Sequence, residues 1–254
     1  MMPVALITGA SSGLGAEFAR QLAARGADLV LVARTRSALE RVAAEAGERY
    51  GVHCDIIVAD LSDPEQIGAA VARLASTERP IDVLVNNAGY GLPLAFESND
   101  IDDEVRHLRV HDEATMRLMH AALGPMLARG SGRIINVASV AAFIPRSTYG
   151  AVKAWMVSFS RWANAVYAPR GVTVTAVCPG YVHTEFHERL GLPPGEEGIA
   201  SWMWLNAPDV VAEALRDAAR GRSVSVPSIR WKALTRLVPL LPDRLAARMG
   251  MRGR

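Results

Sequence analysis

From residue 4 to residue 226, short runs rich in Val and Ile alternate with segments of helical period, and this alternation narrows the chain to one architecture. The runs are VALIT (4–8), DLVLVA (28–33), DIIVA (55–59), DVLVN (82–86), RIINVA (133–138), VTVTAV (172–177) and SVSV (223–226). Short and almost continuously apolar, they read as strands covered on both faces, which is the habit of parallel sheets. Between them, Ala16–Arg25, Ser37–Tyr50, Pro64–Thr77, Asp102–Arg129, Tyr149–Tyr167 and Pro208–Arg220 have helical spacing. Pro64 and Pro208 sit where a first helical turn tolerates proline. Strict β–α alternation over this length predicts one doubly wound α/β domain, without repeats, low-complexity tracts or linkers.

Composition removes several classes of function. Half of the 254 residues are hydrophobic, ample for a buried core. No window approaches the roughly 18 uninterrupted apolar residues of a membrane span, and MMPVALITGA lacks the basic start of a signal peptide. Cys54 and Cys178 are the only cysteines, which argues against a disulfide framework or structural zinc and fits a reducing, cytoplasmic setting. The charge is unevenly placed. From Ile229 to Arg254 there are seven basic residues (Arg230, Lys232, Arg236, Arg244, Arg248, Arg252 and Arg254) against Asp243 alone, so a tail of +6 leaves −4 on the rest of a chain of net charge +2. The body is therefore not a nucleic-acid binder by charge, and the basic tail needs its own account.

The first strand runs into TGASSGLGAEFARQLAARG (8–26). Gly9, Gly13 and Gly15 lie between strand and helix, where glycine lets the backbone turn tightly and approach a pyrophosphate, while the helix N-terminus offers N–H groups and a positive dipole end. The spacing G-x-x-x-G-x-G, with no Lys-Ser/Thr after it, favours a dinucleotide over a nucleoside triphosphate. Ser11, Ser12 and Leu14 complete the loop. The second strand ends in VLVARTR, with Ala33 where an acid would accept from a ribose 2′-hydroxyl, followed by Arg34 and Arg36. An Arg fork suits a 2′-phosphate, so the expected cofactor is NADP(H), held by Arg34 with help from Ser11 and Ser12. Arg36 is read as a solvated turn residue.

TGASSGLG, Asp60–Leu61, NNAG (86–89), Tyr149-x-x-x-Lys153 and Pro179–Gly180 follow one another in the order and spacing of the short-chain dehydrogenase/reductase family, which the chain resembles over residues 4–226. The resemblance implies a single Rossmann-type domain with a seven-stranded parallel sheet. It also implies hydride transfer between NAD(P) and a carbonyl or alcohol carbon. Asp60 would accept from the adenine amino group beside Leu61 N–H. Asn86, Asn87, Ala88 and Gly89 would border the adenine ribose and steady the central strand, and Thr184, with Val182, Pro179 and Gly180 nearby, would reach the nicotinamide amide or the pyrophosphate. Residues 1–228 would be the catalytic domain with a substrate lid at about 183–207, and 229–254 a basic extension packed on it. A homodimer or homotetramer is expected.

Tyr149 and Lys153 are i and i+4 on one helix, so their side chains share a face about 5–6 Å apart at Cβ. A cation nearby favours a phenolate by about 1–3 pK units, drawing the phenol toward general acid–base work. The resemblance makes Tyr149 the acid–base, Lys153 its partner and the anchor of the nicotinamide ribose, and Ser139 the holder of the substrate oxygen. Two departures stand out. Ser139 precedes Tyr149 by ten residues where the family has thirteen. The nine linking residues still span more than 20 Å when extended at about 3.3 Å each, so the shortening should open the substrate side or re-aim Phe143 and Arg146. Ser147 adjoins the tyrosine and is the weaker substitute. His111 stands where the family's Asn holds a water leading from the lysine, so it either holds that water or relays a proton itself, or else blocks the relay.

His183 and His187 are spaced i, i+4, but Thr184 stands where a zinc protease has Glu, so no metal is expected. Trp202, Met203, Trp204 and Leu205 either line an apolar substrate pocket or pack the lid. WKALTRLVPLLPDRLAARMG (231–250), broken by Pro239 and Pro242, either covers the cleft, forms a subunit interface or lies peripherally on an anionic membrane. The leading expectation is an NADP(H)-dependent carbonyl reductase or alcohol dehydrogenase. The rivals are an NADPH-binding sensor or scaffold without turnover, and a metal-dependent hydrolase built on His183 and His187.

Overall fold

In the computed structural model, residues 2–145, 147–186 and 200–251 are described. The apolar runs become strands β1 (Val4–Thr8), β2 (Asp28–Ala33), β3 (Cys54–Val58), β4 (Val83–Asn86), β5 (Gly132–Val137) and β6 (Val172–Val177). Two-residue strands β7 (Tyr181–Val182) and β8 (Trp204–Leu205) pair with each other, and β9 (Val224–Ser225) closes the main sheet. That sheet is parallel throughout, in the order β3-β2-β1-β4-β5-β6-β9. The crossovers are helices α1 (Gly13–Ala23), α2 (Arg36–Tyr50), α3 (Ile67–Ala75), α4 (Ile101–Leu108), α5 (Ala114–Arg129), α6 (Thr148–Tyr167) and α7 (Ala207–Ala219), with α8 (Ile229–Leu237) and α9 (Asp243–Met251) beyond them.

All five residues of β1 are buried because both sheet faces are covered. Ala5 and Ile7 point to the layer of α1, α2 and α7, where Phe18, Leu22, Leu39 and Val211 pack. Val4 and Leu6 point to the opposite layer, against Leu74, Leu118, Met119 and Ala163 of α3, α5 and α6. The strand period of two thus splits one run between two cores. The chain winds one way from β1 and the other way from β4, so a crevice opens at the C-terminal ends of these neighbours, where such sheets bind ligands.

Three helices depart from the sequence reading. α1 begins at Gly13, three residues before Ala16, so Gly13 and Gly15 belong to its first turn and only Gly9 lies ahead of it. Pro64 lies outside α3, because the Asp63 carboxylate accepts from Glu65 N–H at 2.9 Å and from the Gln66 amide at 2.6 Å, holding this stretch in a turn until Ile67. The long helix expected over 102–129 is two helices joined by a π-helical turn, Arg109–Glu113. Such a turn inserts an extra residue and re-aims the side chains that follow; here it buries His111 completely. The shortened link between β5 and α6 is taken up by one 3₁₀ turn, Val140–Phe143, capped by Ser139.

The basic extension packs onto the body. Trp231 is 6% exposed, its indole donates to Met203 O at 3.2 Å, and a side chain at Gly180 would run into its ring. Lys232 pairs with Glu213 of α7 at 2.5 Å. Arg248, Arg252 and Arg254 contribute no described side chain. Among the described residues no helix is long and apolar enough to cross a membrane.

Gly15 is where loop, sheet and first helix close most tightly: a Cβ there would lie 2.1 Å from Gly9 O and 2.5 Å from Asn87 Nδ2. Backbone cannot move aside as a flexible side chain can, so Gly15→Ala should destabilise by about 1–3 kcal/mol, the usual cost of overpacking. A urea midpoint lowered without change of slope would show it; an unchanged midpoint would contradict this packing.

Candidate active site

The crevice deepens into one cavity of about 750 Å³. At one end lies the loop between β1 and α1. Gly9 and Gly13 have φ of +63° and +54°, values that side chains resist, and a Cβ at Gly9 would lie 2.9 Å from the Ala88 backbone. The Thr8 hydroxyl accepts from Asn87 N at 2.9 Å and Ala88 N at 3.0 Å. The Asn87 amide returns a bond to Thr8 O at 3.0 Å. A bare-backbone cradle at the N-terminus of an eleven-residue helix without an acid in its first turn fits a pyrophosphate.

Gly9, Ser11, Ser12, Gly13, Leu14, Arg34, Asp60, Leu61, Asn87, Ala88, Gly89, Pro179, Gly180, Val182 and Thr184 all border this cavity, as do His111, Ser139, Tyr149 and Lys153. Arg34 is exposed on the wall, whereas Arg36 lies 3.9 Å from Glu40 on the surface of α2. Two expected contacts lie elsewhere. Gly15 is packed behind the loop. Asn86 faces the interior and donates to Asn136 Oδ1 at 2.8 Å, joining β4 to β5: it steadies the central strand as expected but does not border the cavity. Asp60 Oδ1 accepts from the Ser62 N–H and hydroxyl at 2.9 and 2.7 Å, which fixes the carboxylate's orientation.

Tyr149 and Lys153 enter the cavity from the first turns of α6, which Ser147 caps by accepting from Gly150 N at 3.2 Å. Lys153 Nζ lies 5.5 Å from the Tyr149 ring centroid and donates to Val137 O at the end of β5, 2.7 Å away. The lysine is 3% exposed, and burial pulls its pKa down to about 8 against the opposing pull of Asp112. Ser139 accepts from Ala141 N at 3.1 Å, leaving its proton free to point into the cavity.

Sequence reasoning missed the surroundings of the tyrosine. The His111 ring stands edge-on to Tyr149 at 5.8 Å and 4.4 Å from the His107 ring, with Tyr90 against both. His111 Nε2 lies 2.9 Å from Tyr90 O and 3.2 Å from Tyr90 N, so it meets that backbone as donor or acceptor according to tautomer, and buried Nδ1 has no hydrogen-bond partner. Burial, then the Lys153 charge, hold His111 well below its ordinary pKa and pull His107 down to about 4. Asp112, next along the π-turn, is pushed up to about 7 by burial. A hint was present in Gly89, where a Cβ would lie 2.4 Å from the His111 ring: imidazole fits there only beside glycine.

The far end of the cavity is apolar. Leu94, Phe143, Ile144, Met203, Leu234 and Val238 line it, the last two from the basic extension. Trp202 is exposed, and Trp204 stacks on His183 at 4.7 Å instead of facing the cavity. Among the described residues no cluster of three His, Cys, Asp or Glu could hold a metal. His187, Arg146 and the stretch 187–199 of the expected lid lie outside the described residues.

A model of the short chain dehydrogenase family matches residues 3–193. Oxidoreductase UcpA of Escherichia coli is 37% identical over 217 residues, 84% of this chain and 82% of that protein. A short-chain dehydrogenase from Sphingobium yanoikuyae, solved in complex with NADPH, superposes with a TM-score of 0.84 at 34% identity, covering 93% of each chain. A bulky-bulky ketone specific alcohol dehydrogenase from Comamonas testosteroni gives 0.81 at 31% identity, covering 93% of this chain and 92% of that one. The chain belongs to the short-chain dehydrogenase family. It is an oxidoreductase.

The two depressed imidazoles set a sign for acid stability. Unfolded histidines take up protons near pH 6.5, whereas in the fold His107 waits until about 4 and His111 is held well below its ordinary value, so stability falls as pH drops through this window. Asp112 opposes them, being protonated in the folded protein from about 7 downward. With two groups against one, urea midpoints should fall from pH 6.5 to 4.5, and His107→Leu should lose less over that span. An equal loss in both proteins would contradict the assignment.

Proposed function

We propose that this chain reduces ketones with a bulky, largely apolar body, or oxidises the matching secondary alcohols, with Ser139, Tyr149 and Lys153 as its catalytic core. The cofactor is NADP(H). The observation that carries this reading is the single cavity joining a glycine cradle and Arg34 at one end to Tyr149 and an apolar chamber at the other.

When bound, NADPH supplies the hydride that reaches the carbonyl carbon. The chain does the rest. The backbone of Gly9 to Leu14 and the N-terminus of α1 would hold the pyrophosphate, Arg34 with Ser11 and Ser12 the 2′-phosphate, and Asp60 with Leu61 the adenine. The Ser139 and Tyr149 hydroxyls receive the substrate oxygen, and Tyr149 donates its proton as negative charge develops there. The Lys153 ammonium below the ring favours the phenolate left behind. In the oxidative direction the same phenolate takes the alcohol proton.

The apolar end supports the substrate class. Trp231, Leu234, Thr235 and Val238 of the extension form one wall of that chamber. The Thr235 hydroxyl is turned back to Trp231 O at 2.9 Å, so it offers the ligand no free donor. Two of the extension's cations are engaged with the body, Arg230 at Trp202 O and Lys232 at Glu213, which favours a cleft cover over a membrane surface. The ketone specificity of the Comamonas testosteroni relative points the same way.

NADPH consumption against aliphatic, aromatic and steroid-like ketones tests the reading. Turnover should favour the bulky apolar members and fall by at least about 10²-fold in Tyr149→Phe while NADPH still binds. Arg34→Asp should weaken NADPH far more than NADH. Tight NADPH binding without turnover in either direction would instead identify a sensor.

A further inference from the structure

We infer that Asp112 is a positioning residue for Lys153: the π-turn sets its carboxylate on the interior side of α6, where it is the counter-charge that keeps the lysine an ammonium at the foot of the cavity. The inference rests on the role proposed above for Lys153.

A buried ammonium needs a compensating charge. The hydrogen bond of Lys153 goes to a neutral carbonyl, Val137 O. The titratable groups facing it are Tyr149 on its own helix, His107 on α4, His111 and Asp112 on the π-turn, and Cys178 beyond β6. The imidazoles are held neutral, and burial pushes the Cys178 thiol up to about 12. Asp112 is the one acid of the set. It is half-buried, on a turn that packs against α6, and its Oδ1 is wholly buried without a protein partner. Direct pairing is absent: no ion pair joins the two among the described residues, so the carboxylate acts through space or across a bridging water.

The composition sharpens the point. Of 28 basic residues only Lys153 and Lys232 are lysine; the other 26 are arginine. Arginine cannot surrender its proton, whereas a buried lysine can, so position 153 carries a cation whose charge depends on its neighbours. Asp112, at about 7, is largely ionised before Lys153, at about 8, loses its proton. Between those values the two charges coexist, and the carboxylate extends the range over which the ammonium persists.

Two lysines make the test direct. In full-length protein labelled with [13Cε]lysine, with and without NADPH, two signals are expected, and Lys232→Arg assigns them. Asp112→Asn, and Asp112→Ser as a second neutral variant, should lower the Lys153 midpoint by about one pH unit. Asp112→Glu should restore most of it, with Lys232 unmoved. The alkaline limb of kcat/KM for ketone reduction should move to lower pH by the same amount, with activity at pH 6 near that of the parent. A Lys153 midpoint that stays put or rises in the neutral variants overturns the inference. So does an activity loss equal at every pH that Glu does not rescue. Should both neutral variants fail to fold, the parent decides: the Lys153 titration must carry a second inflection near pH 7 from Asp112, and a single step overturns the pairing. Absence of any NADPH-dependent turnover would defeat the proposed function and leave the lysine titration readable, so the two failures are distinct.

Discussion

Everything in this site hangs on how the ends of two neighbouring strands are clasped. β1 and β4 lie side by side, yet the chain leaves them in opposite directions. The opening so created is held by one hydroxyl: Thr8 accepts the N–H groups of both Asn87 and Ala88, while Asn87 donates back to Thr8 O. Gly15 allows α1 to press directly on this clasp. The helix terminus, the glycine cradle and the floor of the cavity take their positions from it. Backbone donors fixed before any ligand arrives need little reorganisation when it binds, which is the physical advantage of placing an anion site here.

A second constraint comes from the opposite side. α6 delivers Tyr149 and Lys153 one turn apart, but their setting is furnished by a segment that regular helical geometry would not produce. The π-turn at 109–113 buries His111 against Gly89 and Tyr90 and turns Asp112 inward. Three of the buried side-chain atoms without hydrogen-bond partners belong to this turn and the end of α4 before it, on His107, His111 and Asp112. Buried polar atoms are ordinarily satisfied, so such a concentration marks a stretch shaped by chemistry more than by stability.

The seven strands of the main sheet were readable in the sequence to within a residue or two because covered faces write them as apolar runs, whereas the two-residue pair β7 and β8 was not. The glycine loop, Arg34 and the Tyr149–Lys153 pair were readable because each needs a residue type that little else can supply. Asn86 and Asn87 show a division that the resemblance implied and the register explains: adjacent at a strand end, they point to opposite sides, so Asn86 ties β4 to β5 while Asn87 reaches the crevice. The π-turn left no trace in the apolar period, since one inserted residue hardly alters it. Nor did the extension announce which of its faces meets the cavity, because Pro239 and Pro242 interrupt its periodicity and Trp231 finds its place only against Gly180. Asp112 carried no signal of its own in the sequence, because only the fold turns one of its oxygens inward.

The central claim is that one cavity holds the nicotinamide cofactor and a bulky carbonyl compound so that hydride passes directly between them beside Tyr149. The most direct measurement is to incubate the protein with NADPH deuterated at the transferring position and a bulky aryl ketone, and to read the alcohol by mass spectrometry. The account predicts one deuterium at the carbinol carbon of a single enantiomer, with no label incorporated by Tyr149→Phe. NADPH that binds tightly while no ketone of the series acquires deuterium would contradict it.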